Sequence, residues 1–151
     1  LMQSIRPLRE ETIGIIDQVP RKTLQMVLAG AKRDHVVWVD KLIRFAMFNE
    51  KSITEDEVKD HTQCRLGTFL ASDESESSRK LRGADRLINQ AHPKVHEEGR
   101  KLYKAAVEFH SGRSGPEAYK DVSNDLVASL KASSEEVIDL LEGMIQEVSI
   151  K

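Results

Sequence analysis

The sequence predicts an all-α protein built as an antiparallel bundle of about four helices, one of them short and Cys-bearing. Three long stretches carry apolar residues at spacings of three and four, which is the period of an amphipathic helix. With only 4 Pro and 8 Gly, the composition disfavours a sandwich or barrel of many short strands. A chain of 151 residues is about one domain long and can bury a core without disulfides.

Residues 1–19 are expected to form an N-terminal arm or linker helix, because Pro7 and Gly14 interrupt a short apolar pattern. The bundle itself is expected to occupy residues 20–151. Since Leu1 precedes Met2, we also expect the chain to be a piece of a longer protein.

The first long helix is predicted to begin at Pro20, which suits the first helical turn, and to end near Asn49. Its apolar stripe comprises Leu24, Val27, Leu28, Ala31, His35, Trp38, Val39, Leu42, Phe45 and Ala46. His35 lies on this stripe, one turn from Ala31 and from Val39, so its ring is expected to point into the core.

A polar stretch over residues 50–60, with several good capping residues, predicts a loop with one helical turn. The short element that follows, about His61 to Ala71, contains Cys64. Ser72 to Ser78 is predicted to be a solvated connector, and a modest helix over roughly Ser78 to Asn89 is expected after it.

The second long helix is predicted to begin beside His92, because Pro93 fits a first turn and is unfavourable inside a helix. It should continue to His110 and present an apolar face. After a turn over residues 111–115, Pro116 is expected to open a last helix of more than thirty residues. Its stripe comprises Tyr119, Val122, Leu126, Leu130, Ser133, Val137, Leu140, Leu141, Met144 and Val148.

Charge and hydropathy exclude several classes of partner. The formal net charge is -2, and charges of both signs are interspersed, so no basic face predicts nucleic-acid binding. No run of 18 apolar residues predicts a membrane span, and the N-terminus does not resemble a secretory signal. A single Cys cannot form an internal disulfide, which favours a cytoplasmic location.

Three histidines and the only cysteine carry the candidate chemistry. His92 and His96 are one helical turn apart and can share a metal ion, although such pairs also occur by chance. His35 alone would fit a buried ring with one hydrogen bond. Together with Cys64, however, they form a set on three elements that all face inward. A thiolate and three neutral imidazoles complete a tetrahedral zinc site, whereas calcium and magnesium prefer oxygen ligands.

These residues resemble the chemoreceptor zinc-binding (CZB) domain family. The likeness rests on His35 followed by Trp38, then Cys64, Arg65, Leu66, Gly67, Thr68 and Phe69, then His92 and His96, in this order. It covers about residues 30–145, with Ser134, Val137, Ile138, Leu140 and Leu141 similar to the family's closing helix. Phe69 departs from the pattern, which usually has Trp there.

The resemblance implies that His35, Cys64, His92 and His96 are zinc ligands in a buried site. It also implies a cytoplasmic regulatory domain attached to a chemoreceptor signalling region or a diguanylate cyclase. Such a domain responds to zinc, or to oxidants such as hypochlorous acid through its Cys, here Cys64, and is commonly a homodimer.

An enzyme is not expected, because four protein ligands leave no coordination position for water or substrate. No Gly-rich phosphate loop and no His-Glu-x-x-His motif occurs. Two alternatives remain: a metal-free helical interaction module, and a zinc-dependent hydrolase with fewer protein ligands.

Five further polar residues have expected roles around the site. His61 is expected at the surface or as a partner of a ligand, and His110 at the C-terminal end of a helix, where it interacts with the helix dipole. Asp34, Asp40 and Asp60 are candidates to accept a hydrogen bond from a ligand imidazole or to tune the thiolate.

Overall fold

A computed structural model describes residues 21–150, and within this range the chain contains helices and turns but no strand. The helices are α1 (Arg21–Phe48), α2 (Arg65–Leu70), α3 (Ala84–Arg86), α4 (His92–His110) and α5 (Pro116–Ile150). The arm expected over residues 1–19 lies outside the described residues. None of the helices between residues 21 and 150 combines the length and hydrophobicity that crossing a bilayer requires.

The three long helices form the body of the bundle, and each packs against the other two. Their inward faces contribute leucines with no exposed surface, among them Leu28 and Leu42 of α1, Leu102 of α4, and Leu130 of α5. The predicted all-α bundle is therefore confirmed. The Cys-bearing helix α2 packs against α1, which places Cys64 beside the inner face of the bundle.

Two side-chain hydrogen bonds connect the C-terminal end of α1 to the end of α4 and the start of α5. Tyr119 donates from Oη to the carbonyl of Ala46 at 2.7 Å, and His110 donates from Nε2 to the carbonyl of Phe45 at 2.8 Å. His110 is in the last turn of its helix, as predicted, but its hydrogen bond goes to the C-terminal turn of a different helix. The carbonyl of Phe45 also accepts the backbone N–H of Asn49 at 3.0 Å, so His110 adds a second bond to a carbonyl in the last turn of α1.

The predicted stripe of the last helix is wrong at one position. Val122 is 48% exposed, and the adjacent Ser123 is buried instead. The hydroxyl of Ser123 donates to the carbonyl of Lys120 at 3.2 Å. Because the helix itself satisfies this hydroxyl, burying the serine costs little.

The predicted solvated connector over Ser72 to Ser78 is also wrong, because two of its serines have no exposed surface. Ser75 donates to the carbonyls of Leu70 and Ser72 at 3.0 and 2.9 Å, and Ser78 donates to that of Ser75 at 2.5 Å. The 3₁₀ turns Asp73–Ser75 and Ser78–Lys80 place these hydroxyls next to nearby carbonyls. Local hydrogen bonds therefore let a strongly polar segment pack inward.

The α-helix that carries the histidine pair begins at His92, as predicted, but the backbone ahead of it is helical as well. A π-helical turn, Leu87–Ala91, joins α3 to α4, and the N–H of His92 donates to the carbonyl of Leu87 five residues earlier. Pro93 lacks an N–H, and its ring would crowd the carbonyl four residues before it in an ordinary helix. The wider turn just ahead of Pro93 accommodates the ring while the backbone stays helical.

Candidate metal centre

The four predicted ligands converge from three separate elements. His35 lies in the middle of α1, Cys64 is the N-cap of α2, and His92 and His96 lie in the first turns of α4. One donor atom from each residue lies within 4.8 Å of the donors of all the others. The three histidines are at most 3% exposed, and Cys64 is half-buried. The set predicted from sequence is thus one compact cluster.

Backbone carbonyls orient two of the three imidazoles. The Nδ1 atoms of His35 and His96 lie 2.8 Å from the carbonyl of Ala31 and 3.1 Å from that of Lys59. Because a carbonyl only accepts, Nδ1 carries the proton in both rings, and each Nε2 keeps a lone pair. Both Nε2 atoms are buried without a hydrogen-bond partner. Such acceptors are costly unless a group such as a metal ion satisfies them.

His92 and Cys64 lie within hydrogen-bond distance of each other. Nε2 of His92 lies 3.2 Å from Sγ of Cys64, and Nδ1 of His92 is buried without a partner. Two ligands on one tetrahedral zinc, with Zn–N about 2.0 Å and Zn–S about 2.3 Å, are roughly 3.5 Å apart. The observed separation therefore fits one shared ion.

The N-terminus of α2 supports the sulfur of Cys64. Sγ accepts the N–H of Gly67 at 3.3 Å, in the manner of a helix N-cap. Backbone N–H groups at a helix start favour negative charge, and so favour a thiolate. Burial acts in the opposite direction and raises the pKa of the Cys64 thiol. A bound dication would reverse that effect, because a coordinated thiol is deprotonated.

The histidines are held in the neutral form that binds metals. Burial lowers the pKa of His35, and burial together with neighbouring imidazoles lowers the pKa of His92 to about 2 and that of His96 to about 4. At neutral pH their lone pairs are therefore available to a cation. The donor set, three neutral nitrogens and one sulfur, fits zinc and lacks the oxygens that calcium or magnesium requires.

The aspartates proposed to orient the imidazoles have other partners. Asp34 forms a bidentate ion pair with Arg65, at 2.6 and 2.8 Å, and Asp40 pairs with Arg44 at 2.9 Å. Asp60 accepts the backbone N–H of Thr62 at 2.9 Å. In the described part of the chain none of the three bonds a ligand ring, and backbone carbonyls accept from His35 and His96 instead. Asp34 fits the other expected role, because its charge adds to burial in raising the pKa of the Cys64 thiol. A sequence carries no signal for which carbonyl will face a ring.

A small cavity of about 130 Å³ gives access to the cluster, with His35, Cys64 and His96 in its lining. The Asp34–Arg65 ion pair lies at the same cavity, since both residues line it. Small molecules can therefore approach the sulfur without unfolding of the bundle.

His61 is closer to the cluster than the sequence indicated. It is half-buried, and its ring centroid lies 5.6 Å from that of His92, edge to face. Of the two positions expected for it, at the surface or beside a ligand, the structure shows the second. The His-x-x-Cys spacing with Cys64 was the available signal.

Comparison with known proteins gives one match. Residues 35–103 match the family model of the chemoreceptor zinc-binding domain, which confirms the resemblance and includes all four cluster residues. The matched region ends within α4, so α5 lies beyond it. No curated protein and no solved structure matches the chain significantly.

Proposed function

Because residues 35–103 match the chemoreceptor zinc-binding domain family, we propose that this chain is the zinc-binding regulatory domain of a cytoplasmic bacterial signalling protein. His35, Cys64, His92 and His96 are the zinc ligands. One observation carries the proposal: Nε2 of His35 and Nε2 of His96 are buried without a hydrogen-bond partner, in one cluster with Cys64 and with His92, whose Nε2 lies 3.2 Å from Sγ of Cys64. A zinc ion would satisfy these donors, and it would hold α1, α2 and α4 together.

Cys64 is the sensing residue in this proposal. Its thiolate attacks the chlorine of hypochlorous acid, and hydrolysis then leaves a sulfenic acid and chloride, so that sulfur loses the two electrons that chlorine gains. A sulfenic acid is a poorer zinc ligand than a thiolate, so the link between α2 and the other ligands weakens. The cavity beside Cys64 supports this role, because it lets a small oxidant reach the sulfur.

The output of the domain follows from the position of α2. This helix has six residues and packs on α1, which has 28 residues. Release of Cys64 would free α2 and alter its packing on α1. We expect an attached output domain, of the chemoreceptor or diguanylate cyclase type, to respond to that change.

Two competing functions make different demands on the same cluster. A metal-free interaction module would leave Nε2 of His35 and Nε2 of His96 buried and unsatisfied, which is costly. A zinc hydrolase needs an open coordination position, whereas four protein donors lie within 4.8 Å of one another here, and four ligands complete the usual coordination of zinc. The family itself is a sensory zinc-binding domain and not a catalytic one.

We also propose that the chain forms a homodimer through the outer face of α1. Met26, Val37 and Phe48 are 67%, 47% and 73% exposed, and successive members are 11 residues apart. Eleven residues make about three helical turns, so these side chains lie along one stripe. A second copy that packed its own stripe on this one would remove both from water.

Metal analysis tests the proposed function. Protein purified without added metal should contain about one zinc per chain, and X-ray absorption should report three nitrogen ligands and one sulfur. His92→Ala and His96→Ala should lose most of the metal, whereas His110→Ala, which removes a histidine outside the cluster, should retain it. A wild-type protein without zinc would contradict the proposal. A coordinated water and fewer than four protein ligands would favour the hydrolase.

The oxidant role has a separate measurement. Mass spectrometry after mild treatment with hypochlorous acid should find Cys64 oxidised. Unmodified Cys64 with zinc retained under these conditions would exclude sensing through this residue while leaving the zinc site intact.

A further inference from the structure

We propose that His61 is a reserve zinc ligand, whose imidazole replaces the sulfur of Cys64 when that sulfur leaves the metal. The inference rests on the proposed zinc site and adds a fifth residue to it. Oxidation would then exchange one ligand for another, and the metal would be retained.

The placement of the His61 ring is the first argument. The rings of the three clustered histidines are pairwise edge to face, with centroids 4.9–5.4 Å apart. His61 continues this arrangement, at 5.6 Å from His92 and an interplanar angle of 84°. It lies just outside the set whose donor atoms are all within 4.8 Å of one another. The ring is therefore adjacent to the cluster without belonging to it.

The backbone under His61 is held independently of the sulfur. Asp60 accepts the backbone N–H and the hydroxyl of Thr62, and the N–H of Gln63 donates to the carbonyl of Asp60 at 3.0 Å. Nδ1 of His96 donates to the carbonyl of Lys59 at 3.1 Å, which fixes the chain two residues before His61 to α4 without involving α2. The Cα of His61 consequently stays near the site if Cys64 is lost, and side-chain rotation alone can redirect the ring.

Cys64 lies close enough to His61 for one residue to replace the other at the metal. The two residues are three apart in one turn, and Sγ of Cys64 lies 3.5 Å from the carbonyl of His61. When the Cys64 side chain leaves the cluster, it vacates space next to the backbone of His61 and next to the ring of His92, which the His61 ring contacts edge to face. No other histidine of the described chain has this location, since His110 bonds to Phe45 at the end of α1.

The exchange consists of the oxidation of Cys64 followed by the replacement of its sulfur at the metal. Thiolate and hypochlorous acid give sulfenic acid and chloride, the zinc–sulfur bond would break, and a ring nitrogen of His61 would form the new bond to the metal. Replacing a thiolate by an imidazole raises the net charge of the site by one unit, because zinc keeps its two charges and loses an anionic ligand. A change of one unit in buried charge can itself alter helix packing. Because the zinc is retained, Cys64 can bind it again once the sulfenic acid is reduced.

Amino-acid substitutions at Cys64 and His61 test the proposed ligand exchange. Cys64→Ala should retain about one zinc, with nitrogen ligands only by X-ray absorption, and its cobalt form should lack the thiolate-to-metal charge-transfer band. His61→Ala should match wild type, with three nitrogens and one sulfur. The double variant Cys64→Ala/His61→Ala should bind zinc about 10- to 100-fold more weakly than Cys64→Ala. Cys64→Ala/Gln63→Ala is the matched control, because Gln63 is an exposed neighbour in the same loop.

Several outcomes overturn the proposal. Equal zinc affinity of Cys64→Ala with and without His61 would exclude His61 as a ligand, and so would complete loss of zinc from Cys64→Ala alone. Both results leave the proposed zinc site in place if wild type binds zinc, whereas metal-free wild type contradicts the site itself.

Oxidised native protein provides a second measurement that avoids the Cys64 substitution. After one equivalent of hypochlorous acid, wild type should hold its zinc with Cys64 as sulfenic acid, whereas His61→Ala should release zinc at the same extent of oxidation. Equal retention in both proteins would contradict the reserve role.

Discussion

Gly99 lies directly beneath the indole of Trp38, so that a β-carbon at residue 99 would be 2.2 Å from Cη2 of that ring. Trp38 in turn packs on the ring of His96 at a centroid distance of 4.7 Å, and its Nε1–H donates to the carbonyl of Glu57 at 2.7 Å. The absence of a side chain at residue 99 therefore lets α4 approach α1 closely enough for their histidines to meet.

Substituting Gly99 by alanine should destabilise the bundle and weaken zinc binding. The added methyl group overlaps the indole, which cannot move away without disturbing its contact with His96. Overpacking of this kind costs about 1–3 kcal/mol in the free energy of unfolding. Thermal melting with and without zinc measures the effect.

Gly143→Ala is the matched control for Gly99→Ala. Gly143 also lies in a helix, but a Cβ there would meet nothing within 4 Å. We expect it to stabilise the protein by about 0.5–1 kcal/mol, through the higher helix propensity of alanine. Similar melting temperatures for the two variants would contradict the role given to Gly99.

Gly67→Ala should displace Cys64 from its position at the N-terminus of α2. The new β-carbon would collide with the backbone carbonyl of His61, and a backbone atom cannot swing aside as a side chain can. Helix α2 must shift, which moves the N–H that supports the sulfur. We expect zinc affinity to fall by at least about tenfold, as measured by competition with a chelator. Thr68→Ala, at the next and exposed position, should leave the affinity unchanged.

Removal of zinc should lower the melting temperature. A ligand that binds only the folded state at 100 times its dissociation constant adds about 2.7 kcal/mol of stability, which a strong chelator abolishes. Calorimetry with zinc and with chelator checks this. The melting temperature of His96→Ala should change little between zinc and chelator. His110→Ala should melt at a lower temperature in both conditions, because it loses the hydrogen bond to Phe45, but its zinc-dependent shift in melting temperature should equal that of wild type. A wild type that melts identically in both conditions would refute the coupling.

The stripe on α1 should control the oligomeric state. If two copies pack through this face, Val37→Lys places a charge at its centre and should convert a dimer into a monomer, as measured by light scattering after size exclusion. Val122→Lys is the control, because Val122 is similarly exposed but lies on α5. A monomeric wild type would exclude the proposed homodimer.

The sequence was informative wherever a pattern has a fixed period. The apolar stripe of α1 predicted its bounds within about one residue, and it placed His35 inward because a helix repeats every 3.6 residues. The same period put His92 and His96 on one face of α4. Position on a helix face thus placed the three histidines, whereas Cys64 was selected as the only cysteine of the chain and through the family resemblance.

Features that depend on short-range hydrogen bonding were missed. The serines over residues 72–78 read as solvated because their composition is polar, yet local carbonyls satisfy Ser75 and Ser78. Pro93 suggested a helix start, although a π-helical turn lets the backbone pass through that point. Composition and helix propensity describe the average environment of a residue type. These two segments differ from that average because specific local hydrogen bonds satisfy their polar groups.

By itself the sequence determined the class of fold, the faces of the helices and which four side chains form the cluster, since periodicity and residue chemistry are local properties. Only the tertiary structure decided what surrounds those side chains. Backbone carbonyls orient two imidazoles, Gly67 and Gly99 allow the close approaches, and His61 lies beside His92. These relationships join residues from different elements, so they arise when the helices pack and have no signature within any one of them.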